Sequence, residues 1–246
     1  PDEVILAKAL TEVYRTEIPT TIDELPIADS QLIRSVIESA DEGFLPQDKV
    51  LNLLDAAEIP RTAQFSTTSE AEAIEKAKEI GFPVALKVEG VTHKTDVHGV
   101  VLNIHTRKGL KMHFNRLMSI KGANGVLIQE MVRGNELFIG AKYEEKFGHL
   151  ILVGIGGIFL ELIKDVSVGL APLGREEVKR MIRTLKGYKI IEGYRGKPGV
   201  NEEVLIGTVL KLCSLLQAAP EIKEMDINPL IGFDKLIKAT DVRIKL

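Results

Sequence analysis

Gly81-Phe82-Pro83-Val84-Ala85-Leu86-Lys87-Val88 is the stretch on which the reading of the fold turns. Glycine and proline stop a helix, and a mainly apolar run then continues as a strand. Upstream, Ser69 caps a helix whose apolar side is Ala73, Ile74, Ala77 and Ile80, and Thr62 to Phe65 forms a short strand before it. Strand, helix and strand in this order predict a β-α-β unit with an open sheet. The one charge in the run is Lys87. Its ammonium must point somewhere polar, either to phosphate oxygens in a cleft as a point charge or to solvent at the strand exit.

Alternation of strand and helix continues outward from there. Strands are predicted over Gly99 to Ile104, Gly125 to Val132 and Glu136 to Tyr143, with a helix over Leu110 to Met118. Glu144 to Gly148 reads as a hairpin turn into a strand from His149 to Val153. Arg175 to Leu185 and Glu202 to Leu216 are amphipathic helices, and Ile222 to Pro229 and Lys235 to Ile244 close the chain as two strands. Towards the N-terminus, Asp29-Ser30 caps a helix carrying Leu32, Ile33, Val36 and Ile37, which Gly43 ends. Pro46 sits well at a first helical position before Val50, Leu51, Leu53 and Leu54. Residues 1–29, with Pro19, Pro26, Thr16, Thr20 and Thr21, read as an irregular extension. A boundary near Met131-Val132 then divides the rest into two α/β lobes, 30–131 and 132–246.

Composition narrows the class. At about 150 residues per domain, 246 residues make between one and two domains. An apolar share of 45% and a charged share of 27% are globular values and exclude a disordered tail, a collagen-like repeat and a coiled coil. The longest apolar stretches, such as Leu150 to Ile155, are too short for a membrane span, and no basic-then-apolar leader opens the chain. A single cysteine, Cys213, excludes a disulfide framework and a cysteine metal cluster and reads as cytoplasmic. The net charge of -3 is unevenly spread: residues 1–58 hold 13 Asp/Glu and 4 Lys/Arg, residues 59–246 hold 22 and 28. The basic part suits a phosphate-bearing small molecule, whereas the absence of Trp and of any dense basic run argues against nucleic acid.

The common phosphate motifs are missing. The Gly196-Lys197 pair is followed by Pro198, which excludes a P-loop, and Gly154-x-Gly156-Gly157 lacks the third glycine of a dinucleotide fingerprint, since position 159 is Phe. The kinase signatures are absent as well. Five constellations remain. His93-Lys94-Thr95-Asp96-Val97-His98-Gly99 crowds phosphate donors and a potential phosphoryl acceptor, His93, into one loop. Gln129-Glu130-Met131-Val132 leaves a strand and can pair with the edge of adenine while Met131 covers its face; Glu136 beyond it can accept from ribose hydroxyls. Glu224, Asp226 and Asn228 share one strand face, and Asp241 on a neighbouring strand adds an oxygen, a set suited to Mg²⁺. Gly154 to Glu161 allows close approach of a ligand or merely a bend between strands. Arg195, between Tyr194 and Gly196, is either a phosphate contact or a solvated loop arginine.

Together these pieces resemble one family. Gly81 to Val88, His93-Lys94-Thr95-Asp96, Gly154-x-Gly156-Gly157, Leu170-Ala171-Pro172-Leu173 and Asp226-Ile227-Asn228-Pro229-Leu230 look like the ATP-grasp β subunit of ADP-forming acyl-CoA synthetases, archaeal acetate–CoA ligases above all. The resemblance spans residues 30–246 and implies a two-lobed ATP-grasp fold of the α/β class with nucleotide between the lobes. It implies a ligase active only with an α subunit, in an α2β2 assembly. That subunit carries the CoA-binding domain and a phosphohistidine. It implies that His93 receives the phosphate and passes it to Mg²⁺-bound ADP, making ATP reversibly, while Asp226 steadies the incoming phosphohistidine. Lys87 would bind the nucleotide phosphates, and Asn228 and Asp241 would be the magnesium ligands. Two positions depart from the family pattern: His98 stands in place of a glycine, and Gly169 where an arginine is common. The rival readings are a stand-alone ATP-grasp carboxylate ligase and a nucleotide-sensing subunit without turnover.

Overall fold

The computed structural model describes residues 2–15, 24–91, 97–157 and 164–246. Its first sheet contains β1 (Gln64–Thr67), β2 (Val84–Glu89), β3 (Val100–Ile104) and β4 (Gly125–Glu130), in the order β1-β4-β2-β3 with every neighbouring pair antiparallel. β1 and β2 therefore run parallel, as a β-α-β unit requires, but they are not neighbours. β4 lies between them, and the expectation of an open sheet with β1 beside β2 is corrected. β4 reads as a nearly continuous apolar strand because Gly125 to Gln129 are all buried, on both faces of the sheet. Its Val126 and Ile128 join Val84, Leu86 and Val88 in a core closed by Ala73, Ile74 and Ala77 of helix Glu70–Ile80 and by Leu110, Phe114 and Leu117 of helix Arg107–Met118. Alternation leaves Gln64, Lys87, Glu89, Leu127 and Gln129 on the opposite face.

The second sheet contains β5 (Asn135–Glu144), β6 (Gly148–Ile155), β7 (Val166–Leu170), β10 (Glu224–Phe233), β11 (Leu236–Ala239) and β12 (Val242–Lys245). Its order is β11-β10-β5-β6-β7, with β12 also paired to β10, and its pairs are antiparallel. A two-residue hairpin, β8 (Gly193–Tyr194) and β9 (Lys197–Pro198), stands apart. Helix Glu202–Ala218 starts at Asn201, whose side chain accepts from the Val204 amide at 3.1 Å, and it buries Leu205, Ile206, Val209, Leu212 and Leu216 beneath the sheet. Truncating one such leucine to alanine costs about 2–5 kcal/mol. Helices Ser30–Glu38 and Gln47–Ala56 pack into this larger core through Ile33, Val36, Leu53 and Leu54. The sheets thus divide between Glu130 and Asn135, whereas the apolar packing joins residues 33–59 to the second sheet.

Two further expectations change. Residues 2–15, expected to be irregular, form a helix. No Gly or Pro interrupts them, and Thr11 donates to the Ala7 carbonyl at 2.7 Å. Leu6, Ala9, Leu10 and Val13 recur at helical spacing, the signal that the reading as an irregular extension missed, and Val4, Ile5, Leu6 and Leu10 stay exposed. The closing strand expected over 235–244 is instead two strands broken at Thr240-Asp241. The cause lies opposite, at Pro229, which has no N–H to donate to Thr240; on the other flank of β10 the register with β5 slips between Ile227 and Leu230.

Candidate functional site

The two sheets face each other across a cleft of about 810 Å³. Gln64, Lys87, Glu89 and Leu127 line one wall, Thr240, Asp241 and Arg243 the other, and Phe44 and Gln47 close one side. Lys87 reaches this cleft because Leu86 and Val88 on either side of it are fully buried in the smaller core. The strand exit to solvent is therefore not its environment. Ser66 donates to Glu89 at 2.9 Å, which holds the neighbouring carboxylate to the sheet.

The opposite wall is assembled from two strands. Asp226 pairs in register with Arg243, and the Asn228 amide donates to the Asp241 carbonyl at 3.0 Å. Oδ1 of Asp226 and Oδ1 of Asn228 are both shielded from solvent and have no hydrogen-bond partner among the described residues. Burial raises the Asp226 carboxyl above its ordinary range; Arg243 pulls it back down, and Asp241 and Glu224 push it up. A shielded acceptor without a donor costs about 1–3 kcal/mol. An oxygen-binding cation removes that cost. The set consists of oxygens only and holds too few of them to surround an ion, which fits Mg²⁺ completed by phosphates and water. The described residues contain no cluster of three His, Cys, Asp or Glu that could hold a metal ion.

The segment from Gln129 to Val132 has a different environment from the one expected. Gln129 is 3% exposed, and its Nε2, with two hydrogens to donate, lies 2.7 Å from Thr240 O and 2.9 Å from both Thr62 Oγ1 and Gln64 Oε1. Glu130 accepts from Lys238 Nζ at 2.6 Å and from the Ala63 amide at 3.0 Å. Both side chains tie the first sheet to the second, which leaves Met131 and Val132, both half-buried, as the open part of the connection. The Gly156 amide donates to the Glu136 carbonyl at 2.9 Å, and a side chain on Gly157, at φ +63, would collide with the Glu136 carboxylate. The glycines and Glu136 are thereby brought together. Arg195 sits in the β8–β9 turn at φ 51, with its guanidinium 5.1 Å from the Tyr194 ring centroid; like Met131, Val132, Glu136, Asp226 and Asn228, it is not among the described residues lining the cleft. His93 lies outside the described residues.

Of the two departures, Gly169 is accounted for. A Cβ there would meet Leu173 and Met181 at 2.8 Å, on the core side of β7, so no cleft cation is lost with it. His98 is exposed at φ 50, a backbone conformation that glycine adopts more readily. Gln64, Thr240 and Arg243 were missed. The signal for Arg243 is its position two residues after Asp241, the spacing that shares a face in extended chain.

Two facing antiparallel sheets, a strand lysine on one wall and unpartnered oxygens on the other define a nucleotide-grasping fold. Residues 37–246 match the ATP-grasp domain model, and the chain belongs to the ATP-grasp family. It is 41% identical over 179 residues to acetate–CoA ligase [ADP-forming] II of Archaeoglobus fulgidus, covering 72% of this chain and 26% of that one. Against acetate–CoA ligase [ADP-forming] I subunit beta of Pyrococcus furiosus it is 34% identical over 226 residues, covering 87% of this chain and 97% of that one. A solved acetyl-coenzyme A synthetase 1 of Ca. Korarchaeum cryptofilum, bound to coenzyme A and Ca-AMPCP, superposes with a TM-score of 0.80 at 33% identity over 89% of this chain and 100% of that one. The same protein with coenzyme A and Mg-AMPPCP, its phosphohistidine segment pointing towards the nucleotide site, gives 0.74 at 32% over the same shares. The chain spans about a quarter of the length of the Archaeoglobus ligase and nearly all of the Pyrococcus β subunit. No helix among the described residues is long and apolar enough to cross a membrane.

Proposed function

We propose that the chain is the nucleotide-binding β subunit of an ADP-forming acyl-CoA synthetase and works with an α subunit, two copies of each, in the cytoplasm. The observation that carries this reading is the pair of unpartnered oxygens on Asp226 and Asn228, which lie opposite Arg243 and Asp241, two residues that line the cleft together with Lys87. Lys87 binds phosphate oxygens of ADP. Met131, Val132 and Glu136 hold the nucleoside end. Asn228 and Asp241 are the ligands for Mg²⁺, which when bound neutralises phosphate charge. Asp226 orients the phosphohistidine brought by the partner.

The chemistry is phosphoryl transfer, which is catalysed chiefly by positioning and charge stabilisation. In the final step the N–P bond of phosphorylated His93 breaks and a terminal ADP oxygen bonds to phosphorus, leaving neutral imidazole and ATP. The solved structure of the Korarchaeum protein whose phosphohistidine segment points towards the nucleotide site supports this route. The reverse direction provides the test. Incubation with γ-labelled ATP and Mg²⁺, with the α subunit added, should leave acid-labile, alkali-stable label on this chain. The label should return to ATP on an ADP chase and be absent from His93→Ala. Equal labelling of that variant would remove His93 from the route.

A further inference from the structure

We propose that Gln129 is a positioning residue for the magnesium-side wall: its amide holds the turn that carries Asp241 at its distance from Lys87. The inference rests on the nucleotide-binding reading above. Thr240 joins β11 to β12 and immediately precedes Asp241. On the side of its own sheet this turn is anchored to β10: Thr240 N and Oγ1 both donate to Pro229 O, at 3.1 and 2.9 Å, and Asn228 N donates to Asp241 O. On the side of the other sheet the Thr240 carbonyl accepts from Gln129 Nε2 at 2.7 Å. Bonds from Thr62 reach only Ala239, one residue earlier. Gln129 lies opposite Ala85 in the β2–β4 ladder, two residues from Lys87 and on the same face. One buried amide therefore spans from the Lys87 wall to the Asp241 turn.

The chemistry of its three acceptors isolates that span. Thr62 Oγ1 can turn to donate, and the Gln64 amide can flip to donate, but a backbone carbonyl can never donate. Gln129→Glu keeps the shape and leaves two of the three bonds able to re-form. It specifically breaks the tether to Thr240 and sets a carboxylate against a carbonyl oxygen. Loss of a metal site's outer partner typically costs 10–100-fold in metal affinity.

The experiment is calorimetric titration of ADP into the full chain, in EDTA and in excess Mg²⁺. In Gln129→Glu the gain in ADP affinity on adding Mg²⁺ should fall about tenfold or more, with affinity in EDTA unchanged. Thr240→Ala loosens the same turn from the β10 side and should give the same signature at smaller size; it carries the test should Gln129→Glu not fold. Equal losses with and without Mg²⁺ would mean that Gln129 touches the nucleotide directly, and an unchanged magnesium gain in both variants would mean that it positions nothing; either result overturns the proposal. A wild-type chain that is folded and binds no ADP overturns the underlying reading itself, a result distinguishable from both.

Discussion

The two walls of the cleft are built on different principles. The β2–β4 wall is an uninterrupted ladder backed by a small, dry core, and it presents Lys87 from an otherwise apolar strand. The β10–β12 wall stands where the β10–β5 register slips between Ile227 and Leu230 and β11 gives way to β12 at Thr240-Asp241, and its strands carry two shielded oxygens without donors. The first wall supplies a positive charge at Lys87 and one shielded donor, Nε2 of Gln64, which has no partner among the described residues. The second remains electrostatically incomplete until a cation arrives, and it carries that deficit in the free protein. A phosphate ester chelated to a divalent ion matches both walls at once.

The largest expected effects separate them. Asn228→Ala combined with Asp241→Ala should abolish the gain in ADP affinity on adding Mg²⁺, a loss at least as large as the 10–100-fold seen for outer partners, with affinity in EDTA little changed. Lys87→Met should do the reverse. A charged hydrogen bond contributes about 1.5–3 kcal/mol, so ADP affinity should fall about 10–150-fold equally with and without Mg²⁺. Calorimetry on both variants checks the division, and a magnesium-dependent loss in Lys87→Met would erase the distinction between the walls.

A smaller effect concerns pH. Burial raises the Asp226 carboxyl, with Arg243 opposing and Asp241 and Glu224 reinforcing the rise. The native state then holds this proton more tightly than the unfolded chain, so stability falls as pH climbs from the ordinary value of 3.8 through the raised one. In metal-free buffer this contribution is wholly unfavourable at neutral pH. Asp226→Asn should flatten that part of the stability–pH curve and be more stable than wild type at pH 7, as denaturant melts would show. Wild-type stability that rose through the window by the amount lost in Asp226→Asn would reverse the sign argued here.

The same contrast explains what was legible in the sequence. The stop signal at Gly81 to Pro83, the alternation around Lys87 and the acceptor row at 224–228 are local patterns, and each stood where its pattern placed it. The insertion of β4 between β1 and β2 was hidden, because strand order depends on pairing across about 60 residues and no short window encodes it. Gln129 was read as an adenine contact from its place at a strand end. Its three acceptors come from Thr62, Gln64 and Thr240, the last 111 residues distant, so only the folded chain reveals what the amide holds. The break at Thr240 was equally invisible, since its cause is a proline on the opposing strand.

The smallest expected effect tests whether the incomplete wall nevertheless rests on a closed core. Cys213 lies in helix Glu202–Ala218, 2% exposed, and the cluster around it includes Ile227 and Val242 of β10 and β12. Burial pushes its thiol up to about 11. A thiol reagent attacks the thiolate, so at pH 8 both access and ionisation should protect this residue. Native chain should therefore react only at the rate of opening of the larger core, and fully in denaturant. Asn228→Ala removes an acceptor from the far side of the sheet without touching that core, so it should leave the rate unchanged. Leu205→Ala should accelerate it, because a loss of about 2–5 kcal/mol from the same cluster raises the open population. Acceleration by Asn228→Ala as large as that by Leu205→Ala would mean that the strain of the unpartnered oxygens is shared with the core, and the two walls would then differ less in rigidity than their hydrogen bonding indicates.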